Sequence, residues 1–244
     1  MNSDTLCWAV IPAAGSGKRM GSGLPKQYLK INNMTMLEHS VSSLLSDPRI
    51  LGINVVVDLQ QSLHADLPNL KDPRVSFVQG GAERSDSVLA GLAALLGVAD
   101  KKDWVLVHDA ARPCVKPDEI SRLIDTVSDS GVGGILAQRI TDTVKKANDD
   151  GLVNHTIERE NLWRALTPQM FSLGLLQDAL WSAKAENVPV TDEAAAMERM
   201  GHVVQLVNGL STNVKVTLPS DFEFAQSFLD YTQANSASVS EFDE

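Results

Sequence analysis

Cysteine is scarce: the 244-residue chain holds only Cys7 and Cys114. Two lone thiols supply neither a disulfide framework nor metal-binding spacing, so both are read as reduced and structural, as in a cytoplasmic protein. No apolar run approaches the roughly 18 residues of a membrane helix. LCWAVIPAAG imitates a short signal segment, but no basic residues precede it and Asp4 stands there instead. H-x-x-x-H, C-x-x-C and G-x-S-x-G are all missing, and His39, His64, His108, His155 and His202 are scattered. Multi-histidine metal sites and serine-hydrolase chemistry are thereby excluded. Cations are also short, 21 Lys and Arg against 31 acids, a net charge of −10. That balance argues against a general binder of nucleic acid or anionic membrane.

The charge is uneven. Residues 1–30 carry Lys18, Arg19, Lys26 and Lys30 against Asp4 alone, whereas no Lys or Arg follows Asp221. A local basic site within an acidic protein suits a small anionic substrate.

The remaining composition is globular, 43% hydrophobic and 21% charged. Four short runs, 6–11, 53–57, 74–78 and 104–108, are apolar on consecutive positions and rich in β-branched residues. Strands buried on both faces of a parallel sheet read this way. Helical spacing lies between them: Val88, Leu92, Leu95 and Leu96 fall on one face, and 117–131 opens with Pro117 and closes with Gly131. The alternation implies an α/β, doubly wound, mostly parallel sheet. Beyond Gly134 the pattern changes. Residues 141–163 alternate polar and apolar around Asp150-Gly151, a hairpin signal, and the ribbon is too polar for a buried sheet, so it should project as an arm. Helices at 172–186 and 192–200, strands near 203–207 and 214–217, and a helix from Pro219 complete one domain over 1–230. The small, polar and acidic stretch 231–244 is expected to be disordered.

The segment IPAAGSGKRMGSGLPKQY, Ile11–Tyr28, follows the first strand. It fails the Walker template, because Gly17-Lys18 is followed by Arg19 and Pro12 occupies the first-glycine position. It also fails the dinucleotide template, since Gly15, Gly17 and Gly21 are spaced one residue too long. What remains is a long loop of exposed backbone N–H groups flanked by Lys18, Arg19 and Lys26. Two further polar clusters, GGAERSDS and HDAARP, end the third and fourth strands. In open α/β sheets ligands bind at those carboxyl ends, and basic groups around a backbone loop suit phosphoryl-type transfer.

PAAGSGKRMG, PKQY, GGAERSDSV, HDAARP, TDTVKK, ALTPQMF, TDEAAAME and NVKVT, in this order between about Cys7 and Leu229, resemble the 2-C-methyl-D-erythritol 4-phosphate cytidylyltransferases of the non-mevalonate isoprenoid pathway. The resemblance implies a Rossmann-like enzyme transferring CMP from CTP to methylerythritol phosphate, with release of pyrophosphate. It implies that Pro12, Ala13, Ala14, Gly15 and Gly17 belong to the loop around the CTP phosphates, with Arg19 and Lys26 stabilising charge at the α-phosphorus. Ala13, Ala14, Gly81 and Ser87 would contact the cytidine, and Asp109 would lie beside the ribose and the incoming phosphosugar. Thr143, Arg159, Thr167, Thr191 and Lys215 would surround methylerythritol phosphate, with Arg159 reaching in from the arm of a second subunit of a homodimer. Mg2+ would bridge the triphosphate, held mainly by CTP itself. Ala82 stands where some relatives carry an acid.

Plainer readings stand beside these. Thr191 could be a helix cap before Asp192 and Glu193, Thr167 could be structural because Pro168 follows it, and Arg159 could be a solvated charge on a mixed-charge arm. Ribitol-5-phosphate cytidylyltransferases share the nucleotide-side pattern, and a non-catalytic dinucleotide-binding module is an alternative of another class.

Overall fold

The computed structural model describes residues 5–15 and 24–240, and of 236–240 the backbone only. A seven-stranded sheet forms the body. Its first strand, β1 (Cys7–Pro12), is followed by two short strands, β2 (Lys30–Ile31) and β3 (Met34–Thr35), which pair with each other. Helix α1 (Met36–Leu45) begins there with a capping box, in which Thr35 and Glu38 satisfy each other's backbone N–H groups. Strand β4 (Ile50–Val57), strand β5 (Val75–Gln79), helix α2 (Arg84–Leu95), strand β6 (Trp104–Val107) and helix α3 (Pro117–Ser130) follow. Gly131 ends α3 in the left-handed region at φ +66, as an αL helix stop requires.

After strand β7 (Gly134–Arg139), β8 (Val144–Ala147) and β9 (Val153–Ile157) pair antiparallel in a sheet of their own. Gly151 turns this hairpin at φ +79. The chain returns through β10 (Trp163–Ser172), helices α4 (Leu173–Ala185) and α5 (Glu193–Arg199), strand β11 (Gln205–Asn208) and helix α6 (Pro219–Ser240).

The main sheet runs β11-β7-β10-β6-β1-β4-β5. Only β10 opposes its neighbours, pairing antiparallel with both β6 and β7. Burial on both faces explains the consecutive apolar runs. Ala9, Ile11, Val55, Val57 and Leu106 pack beneath α1 and α3, while the intervening Val10, Val56, Val105 and Val107 pack beneath α2, α4 and α5. The chain moves outward from β1 in both directions, so the crevice of the sheet lies beyond the carboxyl ends of β1 and β6.

One expectation needs correction. Residues 214–217 form no strand: Val216 N–H bonds only to the Ala111 carbonyl, at 2.8 Å, outside any ladder. Helix α6 runs to Ser240, and residues 220–240 contain no Gly or Pro to stop it. Both cysteines are buried, and burial pushes their thiols up to about 12, which leaves them unreactive. Among the described residues no helix is long and apolar enough to cross a membrane.

Candidate active site

Three segments at the crevice enclose a cavity of about 250 Å3: residues 12–15 at the end of β1, 81–84 running into α2 and 109–111 after β6. Lys26 and Lys215 complete its wall. A second cavity of about 230 Å3 adjoins it, shaped by Ala165–Thr167 of β10 and by Thr191 and Asp192 before α5. Arg84, Asp109 and Lys215 line both. Each compartment alone is smaller than the ~300 Å3 usual for a single ligand pocket, and together they form one two-chambered site.

The first chamber is made of small residues held close. Ala13 N–H bonds to the Val56 carbonyl at 2.7 Å, and Gly80 N–H to that of Val57 at 2.8 Å. Gly80 must lack a side chain, since a Cβ there would lie 2.4 Å from the Cβ of Ala14. Ser87, buried in the first turns of α2, donates to the Glu83 carbonyl (3.1 Å) and accepts from Gly81 N–H (3.3 Å). Its hydroxyl therefore shapes the turn beside the chamber. Gln27 reaches the loop from the other side, donating to the carbonyls of Ala13 (2.6 Å) and Gly15 (2.8 Å). Lys26 Nζ donates to the Val216 carbonyl at 2.7 Å, which places it next to Lys215.

Asp109 is the hub between the chambers. It is 6% exposed. Arg84 Nε donates to its Oδ1 at 2.9 Å, Lys215 Nζ meets its Oδ2 at 2.9 Å, and Arg112 Nε lies 3.6 Å from Oδ2. Burial opposes the charge of Asp109, but Arg84, Lys215 and Arg112 outweigh it and hold the carboxyl well below the usual carboxylate range. Arg84 also forks onto Glu193, Nη1 to Oε1 at 2.7 Å and Nη2 to Oε2 at 3.0 Å.

A buried chain of hydrogen bonds fixes the backbone at this point. Asp109 N–H donates to Thr167 Oγ1 at 3.1 Å, and Thr167 Oγ1 lies 2.9 Å from His108 Nδ1. His108 Nε2 is 3.3 Å from the Arg112 carbonyl. An acceptor carbonyl requires Nε2–H, so Nδ1 accepts the Thr167 proton. Burial dominates the His108 titration and lowers its pKa to about 4, keeping it neutral.

The sequence-predicted residues thus divide. Pro12, Ala13, Ala14, Gly15, Lys26, Gly81, Ser87, Asp109 and Lys215 line the first chamber, and Thr167 and Thr191 the second. Gly17 and Arg19 lie outside the described residues. Thr143 and Arg159 sit exposed on the β8–β9 arm and line neither chamber of their own chain. Arg159 Nη1 instead donates to the Thr141 carbonyl. Thr191 is not the α5 cap: Asp192 is, accepting from Ala195 N–H at 3.0 Å. Sequence reasoning missed Arg84, Glu193, Gln27 and Arg112, all within quoted motifs but indistinguishable there from helix-start or surface residues.

Comparison with known proteins points the same way. Residues 7–231 match the family described as 2-C-methyl-D-erythritol 4-phosphate cytidylyltransferase (IspD). The chain is 48% identical to the enzyme of that name from Vibrio vulnificus strain YJ016, over 93% of this chain and 96% of the relative. It is also 48% identical to that of Escherichia coli O1:K1 / APEC, over 92% and 94%. A crystal structure of the Francisella tularensis protein of the same name superposes with a TM-score of 0.79 at 35% identity, covering 92% of this chain and all of that one. A crystal structure described as 4-diphosphocytidyl-2C-methyl-D-erythritol synthase gives 0.80 at 34% identity, over 93% and 99%. The chain belongs to the 2-C-methyl-D-erythritol 4-phosphate cytidylyltransferase family.

Proposed function

We propose that the two chambers hold the two substrates of this family's nucleotidyl transfer: CTP in the first and methylerythritol phosphate in the second. The observation that carries the assignment is the shared wall, where Lys215 and Asp109 face both chambers. A phosphate oxygen of the methylerythritol phosphate attacks the α-phosphorus of CTP. The bond from that phosphorus to its bridging oxygen breaks, and pyrophosphate leaves with the electron pair. A phosphate monoester with a second pKa near 6 is already ionised at neutral pH, so no general base is required. Catalysis then rests on alignment and charge. Lys26 stabilises charge at the α-phosphorus, Arg19 shares that task, and Lys215 holds the attacking phosphate.

Magnesium belongs to this reading as the counter-ion of the triphosphate. Among the described residues no three acids, histidines or cysteines form a metal cage, and Asp109 is already committed to three cations. In this reading the donors come mainly from CTP itself, and the ion would supply charge neutralisation when bound. The small-residue walls of the first chamber suit a base read by backbone groups.

Homodimerisation through the arm is part of the same proposal. Leu152 and Val153 on the hairpin are 66% and 61% exposed, and an isolated two-stranded ribbon is marginal in water. A twin arm would cover them and carry Arg159 to the neighbouring second chamber. A cytoplasmic setting fits the two buried free thiols. The decisive assay follows pyrophosphate release with Mg2+ and each nucleotide–phosphopolyol pair. CTP with methylerythritol phosphate should turn over fastest. Faster turnover with ribitol 5-phosphate would displace the acceptor assignment, and comparable kcat/KM with ATP would displace CTP.

A further inference from the structure

The motifs GGAERSDSV and TDEAAAME meet in space at Arg84 and Glu193, which the proposed transfer does not use. Arg84 is the first residue of α2 and Glu193 the first of α5. The guanidinium grips both Glu193 oxygens, at 2.7 and 3.0 Å, and turns its Nε to Asp109 Oδ1 at 2.9 Å. We infer that Arg84 and Glu193 form a positioning bridge that fixes Asp109, and through it Lys215, for the phosphopolyol half of the site. The inference rests on the chamber assignment above.

Anchoring α5 does not require the bridge. Gln169 of β10 already holds the start of that helix, accepting from Ala194 N–H at 2.9 Å and donating to Asp192 Oδ2 at 2.9 Å. Nor is a buried ion pair a favourable way to fasten two helices, since an apolar pair of similar volume would do so without desolvating charges. Glu193 is nevertheless 1% exposed and fully ion-paired to Arg84. The arrangement is explained by its third member. With the planar fork fixed on Glu193, Nε can point only at Asp109, and that oxygen keeps a cation permanently.

The consequence falls on Lys215. It is the most exposed of the three cations on Asp109, 44% against 30% for Arg84 and 10% for Arg112. When a substrate phosphate draws Lys215 away, Asp109 still holds Arg84 and is not left buried and unpaired. Lys215 can therefore exchange between Asp109 and substrate. Arg84 itself is spent on two carboxylates and is not the phosphate ligand.

Three variants test this: Glu193→Gln, Arg84→Lys, and the double Arg84→Met/Glu193→Leu, whose apolar pair guards against misfolding from a lone buried charge. Each is assayed for kcat and KM by pyrophosphate release, for CTP affinity by calorimetry and for Tm. The expected result is a KM for methylerythritol phosphate raised about tenfold or more, with kcat lowered and CTP affinity, whose chamber Arg84 also lines, weakened by a clearly smaller factor. The double variant should show the same split with a folded protein's cooperative melt. Kinetics matching wild type in all three would overturn the bridge. So would CTP affinity and KM worsening together in step with Tm, the mark of a purely structural latch. If the wild-type protein itself fails to turn over CTP with methylerythritol phosphate, the chamber assignment falls and the bridge with it, a result separable from any variant's.

Discussion

Gly80→Ala offers a quantitative test of how the first chamber is built. The added Cβ would lie 2.4 Å from Ala14 Cβ, 3.1 Å from Ser87 Oγ and 3.4 Å from Val56 Cγ1. Carbon atoms rest about 3.5–4.0 Å apart, so the overlap with Ala14 exceeds about 1 Å. Neither side yields easily: Ala13 is bonded to β4 and Gly80 to the end of the same strand. The carboxyl ends of β1 and β5 must spread instead. Overpacking of this kind costs about 1–3 kcal/mol. In a chain of this size each kcal/mol lowers Tm by roughly 2–4 °C. The same spreading separates the loops proposed to contact the base, so CTP affinity should fall about tenfold, roughly 1.4 kcal/mol. Gly97→Ala is the control, because its Cβ would meet only the Ala94 carbonyl at an ordinary 3.5 Å. Scanning calorimetry and CTP titration of both variants decide the matter. A Gly80→Ala protein with wild-type Tm and CTP affinity would refute the close approach of the two loops.

Lys26→Ala should lower kcat by about 10² to 10³, the usual effect of removing one preorganised charge donor, while the Tm stays near wild type; pyrophosphate-release kinetics beside a thermal melt measure both. Arg159→Ala and Lys26→Ala proteins, each nearly inactive alone, should regain activity when mixed and allowed to exchange subunits, because each heterodimer then has one site with both wild-type residues. A monomer by sedimentation, or no recovery despite demonstrated exchange, would place Arg159 outside the chemistry. His108 gives a pH dependence. Its folded pKa of about 4 lies below the ordinary 6.5, so between those values the unfolded chain binds the extra proton and stability falls as pH drops. The loss is about 3 kcal/mol across the window, and His108→Asn should flatten that part of the Tm–pH curve.

Legibility in the sequence followed the range of the forces involved. Strands β1, β4, β5 and β6 were readable because burial on both faces forces consecutive apolar residues, a purely local record. The hairpin was readable because Gly151 supplies its turn. Strand β10 was not, since Pro168 interrupts it and its register shifts between Ala165 and Gln169, which removes the alternation a strand normally shows. The stretch VKVT at 214–217 looks like a strand because its side chains alternate, yet Val216 N–H reaches one loop carbonyl and no ladder. Helix α1 carried a legible signal in its Thr35–Glu38 capping box that periodicity alone does not weigh. The wall of the first chamber was legible wherever it consists of backbone-shaping residues in sequence, as at Pro12–Gly15. Arg84 and Glu193 were illegible because an ion pair spanning 109 positions leaves no trace in either neighbourhood.

An acid at the centre of the site proposed for two phosphate compounds looks misplaced until the cations are considered without it. Arg84, Arg112 and Lys215 converge on one carboxylate within 3.6 Å. Lacking Asp109, three like charges gathered there would repel one another, by about 1 kcal/mol for a pair about 4 Å apart in water and several times more in a half-buried wall. Asp109 therefore assembles the positive surface that opposes it in sign. The carboxylate is fixed from behind by its own backbone, through Thr167 and His108, and from the side by Arg84. Of its partners, the one that solvent reaches most is Lys215. A protein of net charge −10 can in this way gather cations where an anionic substrate arrives, and leave one of them free to change partners.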